Sequence, residues 1–169
     1  MSKVILYMAI SLNGYIAKEN DDTSWISSEE WNSYSQMVQK AGNLVIGHRT
    51  YNTLTKQQEF AELKNVKLVI VSKTNFNTIS ANHFIAKTPQ EALELLKDFN
   101  EVIIAGGGIL NSSFLKESLI DEIYIDIEPV VIGKGIKLFI DENFEISLNL
   151  LETKKITDNE IQLHYAVNK

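Results

Sequence analysis

The chain has 169 residues, 44% hydrophobic and 22% charged, which suits one compact domain over residues 1–169 and excludes a disordered or repetitive polymer. It has no cysteine, so disulfides, thiolate metal sites, iron–sulfur clusters and a cysteine nucleophile are excluded, and redox chemistry would need a bound cofactor. Net charge is −6 with the lysines scattered, which argues against nucleic acid, and the lack of an apolar run of about 18 residues argues against a membrane span. The N-terminal segment has neither a long apolar stretch nor a small-residue cleavage site, so a cytoplasmic protein is expected.

Lys3 to Ile10 reads as a buried first strand, followed by the turn Ser11-Leu12-Asn13-Gly14 and the short apolar piece Tyr15-Ile16-Ala17. Ser27-Ser28 supplies a serine N-cap ahead of Glu29-Glu30 in the first turn of a helix whose apolar face is Trp31, Tyr34, Met37, Val38 and Ala41, ended by Gly42-Asn43. Leu44 to Ile46 is a short strand that passes through Gly47 into a short helix at His48-Arg49-Thr50-Tyr51. Val66 to Val71 is a further strand leaving through Ser72-Lys73-Thr74, and Phe84-Ile85 a brief one. Thr88 and Pro89 open a helix expected over Gln90 to Phe99. The apolar run from Val102 to Ala105 enters Gly106-Gly107-Gly108, and a helix is expected from Ile109 to Ser118. Asp121 to Ile127 is a strand, Pro129 to Gly135 a glycine-flanked bend, and Leu148 to Ile156 with Glu160 to Val167 a closing hairpin. Strands alternating with helices, then antiparallel strands, predict an α/β fold with a mixed sheet and helices on its faces.

Open α/β sheets bind ligands at the carboxyl ends of their strands. Four loops lie there: Ser11 to Tyr15, Gly47 to Thr50, Ser72 to Thr74 and Gly106 to Asn111. The triple glycine matters most, because backbone without Cβ atoms approaches a ligand closely and a helix N-terminus attracts phosphate; the alternative for the stretch alone is a tight strand-to-helix turn and nothing more. Gly106 and Gly108 begin a dinucleotide-binding fingerprint, with Asp126 twenty residues beyond Gly106, but Asn111 replaces its third glycine and a hairpin follows instead of a second βαβ unit.

Taken together, these loops resemble the dihydrofolate-reductase-like fold, in the branch that contains the reductase domains of riboflavin biosynthesis. The matching pieces are Ser11 to Ala17, Ile46 to Tyr51, Val69 to Lys73, Ala105 to Gly108, and Ile120-Asp121-Glu122 leading to Pro129 to Gly135 with Leu138-Phe139. The resemblance implies a three-layer α/β/α fold with a mainly parallel sheet and an NADPH-dependent reductase acting on a small, heterocyclic, pterin- or pyrimidine-like substrate. It implies that Gly106, Gly107, Gly108, Ile109, Leu110 and Asn111 hold the pyrophosphate. Gly47, Arg49 and Thr50 would contact phosphate, with His48 either assisting or lying on the surface. Ser72 and Lys73 would face the 2′-phosphate, and Ala9, Tyr15, Ile16 and Ala17 the nicotinamide. Glu30, five residues after Trp25, matches the acid of the folate enzymes, and Asp126 lies where they have a threonine; both are candidate catalytic groups. Glu30 could alternatively be a solvated first-turn acid. Asn13 stands where most of the branch has aspartate and is a candidate substrate contact, while Ile104 replaces an acid of the riboflavin-pathway enzymes. The alternatives are a folate or pterin reductase proper and a non-catalytic NADPH-binding protein. No metal site is expected, and the branch implies a homodimer through the β-rich edge.

Overall fold

The computed structural model describes residues 2–169. Its strands are β1 (Lys3–Ser11), β2 (Tyr15–Lys18), β3 (Asn43–Gly47), β4 (Lys67–Val71), β5 (His83–Ala86), β6 (Glu101–Ile104), β7 (Glu122–Glu128), β8 (Gly135–Lys137), β9 (Leu148–Lys155) and β10 (Ile161–Val167). The helices are α1 (Ser28–Ala41), α2 (His48–Leu54), α3 (Pro89–Leu95) and α4 (Gly108–Lys116), with a 3-10 turn at Gln58–Leu63. Among the described residues, eight strands form one sheet in the order β5-β4-β3-β6-β1-β7-β10-β9. The six from β5 to β7 run parallel, and β10 is antiparallel to both its neighbours.

Burial on both faces explains the unbroken apolar runs of the central strands. Along β1, Val4 and Leu6 point to one layer, where α3 and α4 contribute Ala92, Leu110, Phe114 and Leu115. Ile5 and Tyr7 point to the other, where α1 and α2 contribute Tyr34, Val38, Tyr51 and Leu54. A three-layer α/β/α arrangement results, as the resemblance implied.

Local chemistry sets the helix ends. Ser27 accepts a hydrogen bond from the Glu30 amide at 3.0 Å to start α1, and Gly42, at φ 73°, closes it with its N–H on the Val38 carbonyl. α3 is shorter than expected, ending at Leu95 instead of Phe99. The Lys67 ammonium takes the Leu95 carbonyl at 2.6 Å, and the chain turns so that Phe99 lies over Gly42, where a Cβ would stand 3.3 Å from its ring. The bend after Pro129 also differs from expectation: its end forms β8, which pairs antiparallel with β2 as a separate two-stranded ribbon.

That ribbon runs against the N-terminus of α4, where a Cβ on Gly108 would stand 2.5 Å from the Lys137 carbonyl oxygen. Gly108→Ala is therefore expected to destabilise the fold by about 1–3 kcal/mol, since backbone must move. Gly133→Ala, where nothing lies within 4 Å, should change stability by less than about 0.5 kcal/mol. Urea unfolding of the two variants checks this.

Candidate active site

Parallel pairing of β3 with β6 sets two strand-to-helix junctions side by side. The Gly47 amide donates to the Gly106 carbonyl at 2.8 Å, and the Ala105 amide to the Val45 carbonyl at 3.0 Å. Gly106 has φ +88°, and the Gly106–Gly107 peptide is cis. Thr50, in the first turn of α2, stands over this turn: its Oγ1 is 3.4 Å from where a Cβ of Gly107 would be. Both helices that start here have a glycine N-cap and no side-chain cap, whereas α1 and α3 are capped by Ser27 and Thr88. The leading amides of α4 at Gly108, Ile109 and Leu110 precede its first intrahelical bond, from the Asn111 amide to the Gly107 carbonyl at 3.0 Å. Uncapped donors beside half-buried Gly107 and exposed Ile109 make a cradle that fits a phosphate group, so the donor set suits the pyrophosphate of a dinucleotide.

Several candidate residues already have partners. Arg49 Nε pairs with Asp21 Oδ1 at 2.7 Å, and its Nη2 donates to the Glu19 carbonyl at 3.3 Å, which ties the loop after β2 to α2. His48 stacks on Phe76 with ring centroids 4.0 Å apart. Ser72 uses its hydroxyl within its own loop, donating to the Thr74 carbonyl at 2.9 Å and accepting from the Thr74 amide at 3.2 Å. Lys73 is exposed beside it, and Lys87, which sequence reasoning missed, reaches the same loop through the Lys73 carbonyl at 3.5 Å. Asn13 braces two loops: Nδ2 donates to the Ile132 carbonyl at 2.7 Å, and Oδ1 accepts from the Ile132 amide at 3.1 Å and the Ser11 hydroxyl at 2.9 Å. Asn111 is fully buried and donates to the Leu138 carbonyl at 3.0 Å, while its Oδ1 has no partner among the described residues.

The second half of the site is a carboxylate cluster on the α1 face of the sheet. Asp126 and Glu128 stand two apart on β7, opposite Ala9 and Ser11 of β1. Gln162 of β10 lies opposite Asp126, and Glu160 immediately precedes that strand. Glu30 comes down from the first turn of α1. All four acids are buried, and among the described residues none forms a salt bridge. Ser27 ties them to the start of α1: its amide donates to Glu128 at 2.8 Å and its hydroxyl to Glu160 at 3.1 Å. Asp126 accepts from Tyr7 at 2.5 Å and from the Gln162 amide at 2.8 Å. The Glu30 carboxyl has no hydrogen-bond partner among the described residues, although only 5% of the residue is exposed.

Burial first, then the charges of Asp126, Glu128 and Glu160, push Glu30 up to about 8. Burial also raises Asp126, opposed by its two donors. Burial and the Asp126 charge raise the Tyr7 phenol, which stays protonated. The cluster therefore holds a neutral carboxylic acid near neutral pH, and Lys154, opposite Gln162 on β9, is the cation whose charge reaches Asp126. Glu30 and Asp126 do share one face, as candidate catalytic groups must. Tyr7, Glu128, Glu160 and Gln162 were not singled out from sequence, since Tyr7 reads as core and the others as ordinary strand-end polar residues.

Residues 2–162 match the family described as the RibD C-terminal domain. The chain is 33% identical over 176 residues to YwjB, an uncharacterized protein of Bacillus subtilis (strain 168), covering 97% of both. It is 28% identical over 131 residues to dihydrofolate reductase type 1 of Escherichia coli, covering 75% of this chain and 77% of that one. A putative riboflavin biosynthesis protein from Shewanella sp. PV-4 superposes with a TM-score of 0.81 at 23% identity, covering 99% of each chain, and shows the same fold.

A carboxyl whose folded pKa lies above its unfolded value contributes its full stability below the unfolded pKa and loses it as pH rises through the folded one. The protein should therefore lose stability between about pH 4.5 and 8, by about 1.4 kcal/mol per pH unit from Glu30. Glu30→Gln should flatten that slope and be the more stable form above pH 8. Denaturant midpoints across pH measure both.

Proposed function

The chain belongs to the RibD C-terminal domain family, and on that premise we propose that it is an NADPH-dependent reductase of a small heterocyclic, pterin- or pyrimidine-like substrate. The observation that carries this reading is the pair of uncapped helix starts on one flank of β1 with a cluster of buried carboxyl groups, one of them protonated near neutral pH, on the other.

NADPH, when bound, supplies the hydride. The chain supplies binding, orientation and the proton. Gly106 to Leu110 offer backbone donors for the pyrophosphate, joined by Thr50 and by Arg49 once Asp21 releases it, while Gly47, its amide bound to the Gly106 carbonyl, holds the turn in place. Lys73, with Lys87 nearby, supplies positive charge that suits a 2′-phosphate, and Ser72, its hydroxyl bonded to Thr74, shapes the loop that carries it. Ala9 and Tyr15 to Ala17 bound the nicotinamide side, where small or buried apolar groups exclude water. Glu30 holds a proton at neutral pH and is placed to give it to the heterocycle as the hydride arrives, and Asp126 stabilises the cation-like, donor-rich ring through charge. The pocket's acceptors favour a substrate that donates hydrogen bonds.

Arg49 cannot serve a phosphate while it is held by Asp21, so Asp21→Asn is expected to tighten NADPH binding several-fold. NADPH should bind more tightly than NADH, and Lys73→Ala should narrow the gap by roughly tenfold, about 1.4 kcal/mol. Both are read by fluorescence titration; equal wild-type affinities for the two nucleotides would count against the 2′-phosphate assignment. Loss of NADPH absorbance with dihydrofolate, dihydrobiopterin and ribosylaminopyrimidine phosphate tests turnover. Tight NADPH binding without oxidation across a broad panel would favour a binding protein instead.

The homodimer is part of the same proposal. β9 is the sheet edge, all eight of its residues are exposed, and Leu148, Leu150 and Leu151 lie on it. An uncovered apolar edge of this kind is a pairing surface for a second copy. Light scattering should give twice the chain mass, and Leu150→Glu should return it to the monomer value.

A further inference from the structure

Ser27 and Glu30 stand at the first and fourth places of a Ser-x-x-Glu run, with Ser27 as the N-cap of α1. That spacing is a capping box, in which the serine hydroxyl takes the amide of the acid and the acid's carboxylate reaches back to the serine amide. Only the first half is made here. The Ser27 hydroxyl accepts from the Glu30 amide at 3.0 Å, but the Ser27 amide donates to Glu128 Oε1 at 2.8 Å. Glu128 is 101 positions away, at the end of β7.

Two features keep Glu128 in that place. It pairs in register with Ser11 of β1 and follows Asp126 by two residues, so the two acids share a face of the sheet. The start of α1 is also drawn to the sheet by Glu160, whose Oε2 accepts the Ser27 hydroxyl proton at 3.1 Å. Glu160 is fixed just before β10, its carbonyl accepting from the Ile156 and Thr157 amides at 2.9 and 3.4 Å. Ser27 thus directs both of its donors to the sheet, and none is left for the Glu30 carboxyl. A buried carboxyl that accepts an amide is favoured in its charged form, and one without a donor in its neutral form. Glu128 and Glu30 are 3% and 5% exposed, and among the described residues the Ser27 amide is the one donor to Glu128. Two buried carboxyls compete for one N–H, and whichever takes it leaves the other bare.

We propose that Glu128 is a positioning residue: by holding the Ser27 amide it keeps the α1 capping box open and leaves the Glu30 carboxyl free to act as the proton donor. The use of that proton in a reduction rests on the reductase reading; the open box does not. Other groups bear on the same carboxyl. Asp126 and Glu160 act on it by charge, the Tyr7 and Tyr34 phenols feel its charge in turn, and Lys154 acts on Asp126. Charge acting through space is removed equally by any neutral substitute, whereas the Ser27 amide responds only to a group that can accept it.

The test is the titration of the Glu30 carboxyl carbon by NMR on the full chain without nucleotide, read beside the Ser27 amide shifts. The Glu30 signal is identified by its loss in Glu30→Gln. Glu128→Gln and Glu160→Gln each remove one charge and keep an acceptor for Ser27, so Glu30 should titrate lower than in the wild type with the box still open. Glu128→Ala removes the same charge and the acceptor as well. Glu30 should then close the box and titrate about one pH unit or more below its position in Glu128→Gln, a tenfold change in proton affinity. The Ser27 amide shift should move with that titration, as it does not in Glu128→Gln. Equal Glu30 titrations in Glu128→Ala and Glu128→Gln overturn the proposal. So does a lower titration that the Ser27 amide does not follow, which water in the vacated space would give. Glu128→Leu, of similar volume and without an acceptor, replaces Glu128→Ala if that variant does not fold. In turnover, the alkaline limb of the kcat/KM profile should shift to lower pH in Glu128→Ala by the same amount. A wild type that oxidises no NADPH defeats the reductase reading, and the titration of the free protein still decides whether Glu128 holds the box open.

Discussion

The carboxyl edge of the sheet depends on one hydrogen bond, from the Gly47 amide to the Gly106 carbonyl. It extends the β3–β6 pairing past its last strand register, Val45 opposite Ile104, into the two turns themselves. A Cβ on Gly106 would stand 3.3 Å from the Met8 Cε, and Gly106 holds a φ of +88° that residues with side chains rarely adopt. With the turns clasped, α2 and α4 begin at one place and their unsatisfied amides converge. Thr50 then fills the space that side chains on Gly106 and Gly107 would occupy.

Charge distribution follows from the same sheet. Because β1 lies between β6 and β7, the glycine turn is on one flank of Ala9 and Asp126 on the other. One flank collects backbone donors and the other collects carboxylates. Four buried acids without a paired cation are costly, and the fold limits the cost in two ways. Tyr7, Gln162 and Ser27 donate to Asp126, Glu128 and Glu160, and Glu30, which has no donor, keeps its proton. Holding Glu30 protonated in this way costs stability as pH rises toward 8. The 3-10 turn and the ribbon of β2 and β8 serve more locally, the latter by pinning the loop that carries Asn13 against Ile132.

Legibility differed by element. β1, β3, β4, β6 and β7 announce themselves as apolar runs because both their faces are buried, and Ser27, Thr88 and Pro89 mark helix starts by local chemistry alone. The glycine turn was legible as a strand-to-helix junction with free helix-end donors for the same reason, since φ and helix-end donors are properties of a few neighbouring residues. Glu30 and Asp126 were found as residues but not as an environment. Tyr7 meets Asp126 across 119 positions and Gln162 meets it across 36. No local pattern encodes such meetings, and Tyr7 carries an apolar ring that reads as core.

The amino-acid sequence by itself determined the α/β order of elements, the glycine junctions, the exclusion of thiol chemistry and the family resemblance, because each depends on composition or on residues within a helical turn or strand of one another. Tertiary structure alone decided that α3 stops at Leu95, that β8 pairs with β2, that Arg49 is held by Asp21, and that Glu30 stands unpartnered among three other acids. Those outcomes depend on burial and on pairings between distant segments, and the pKa of Glu30 is set by what surrounds it and not by what precedes it in the chain.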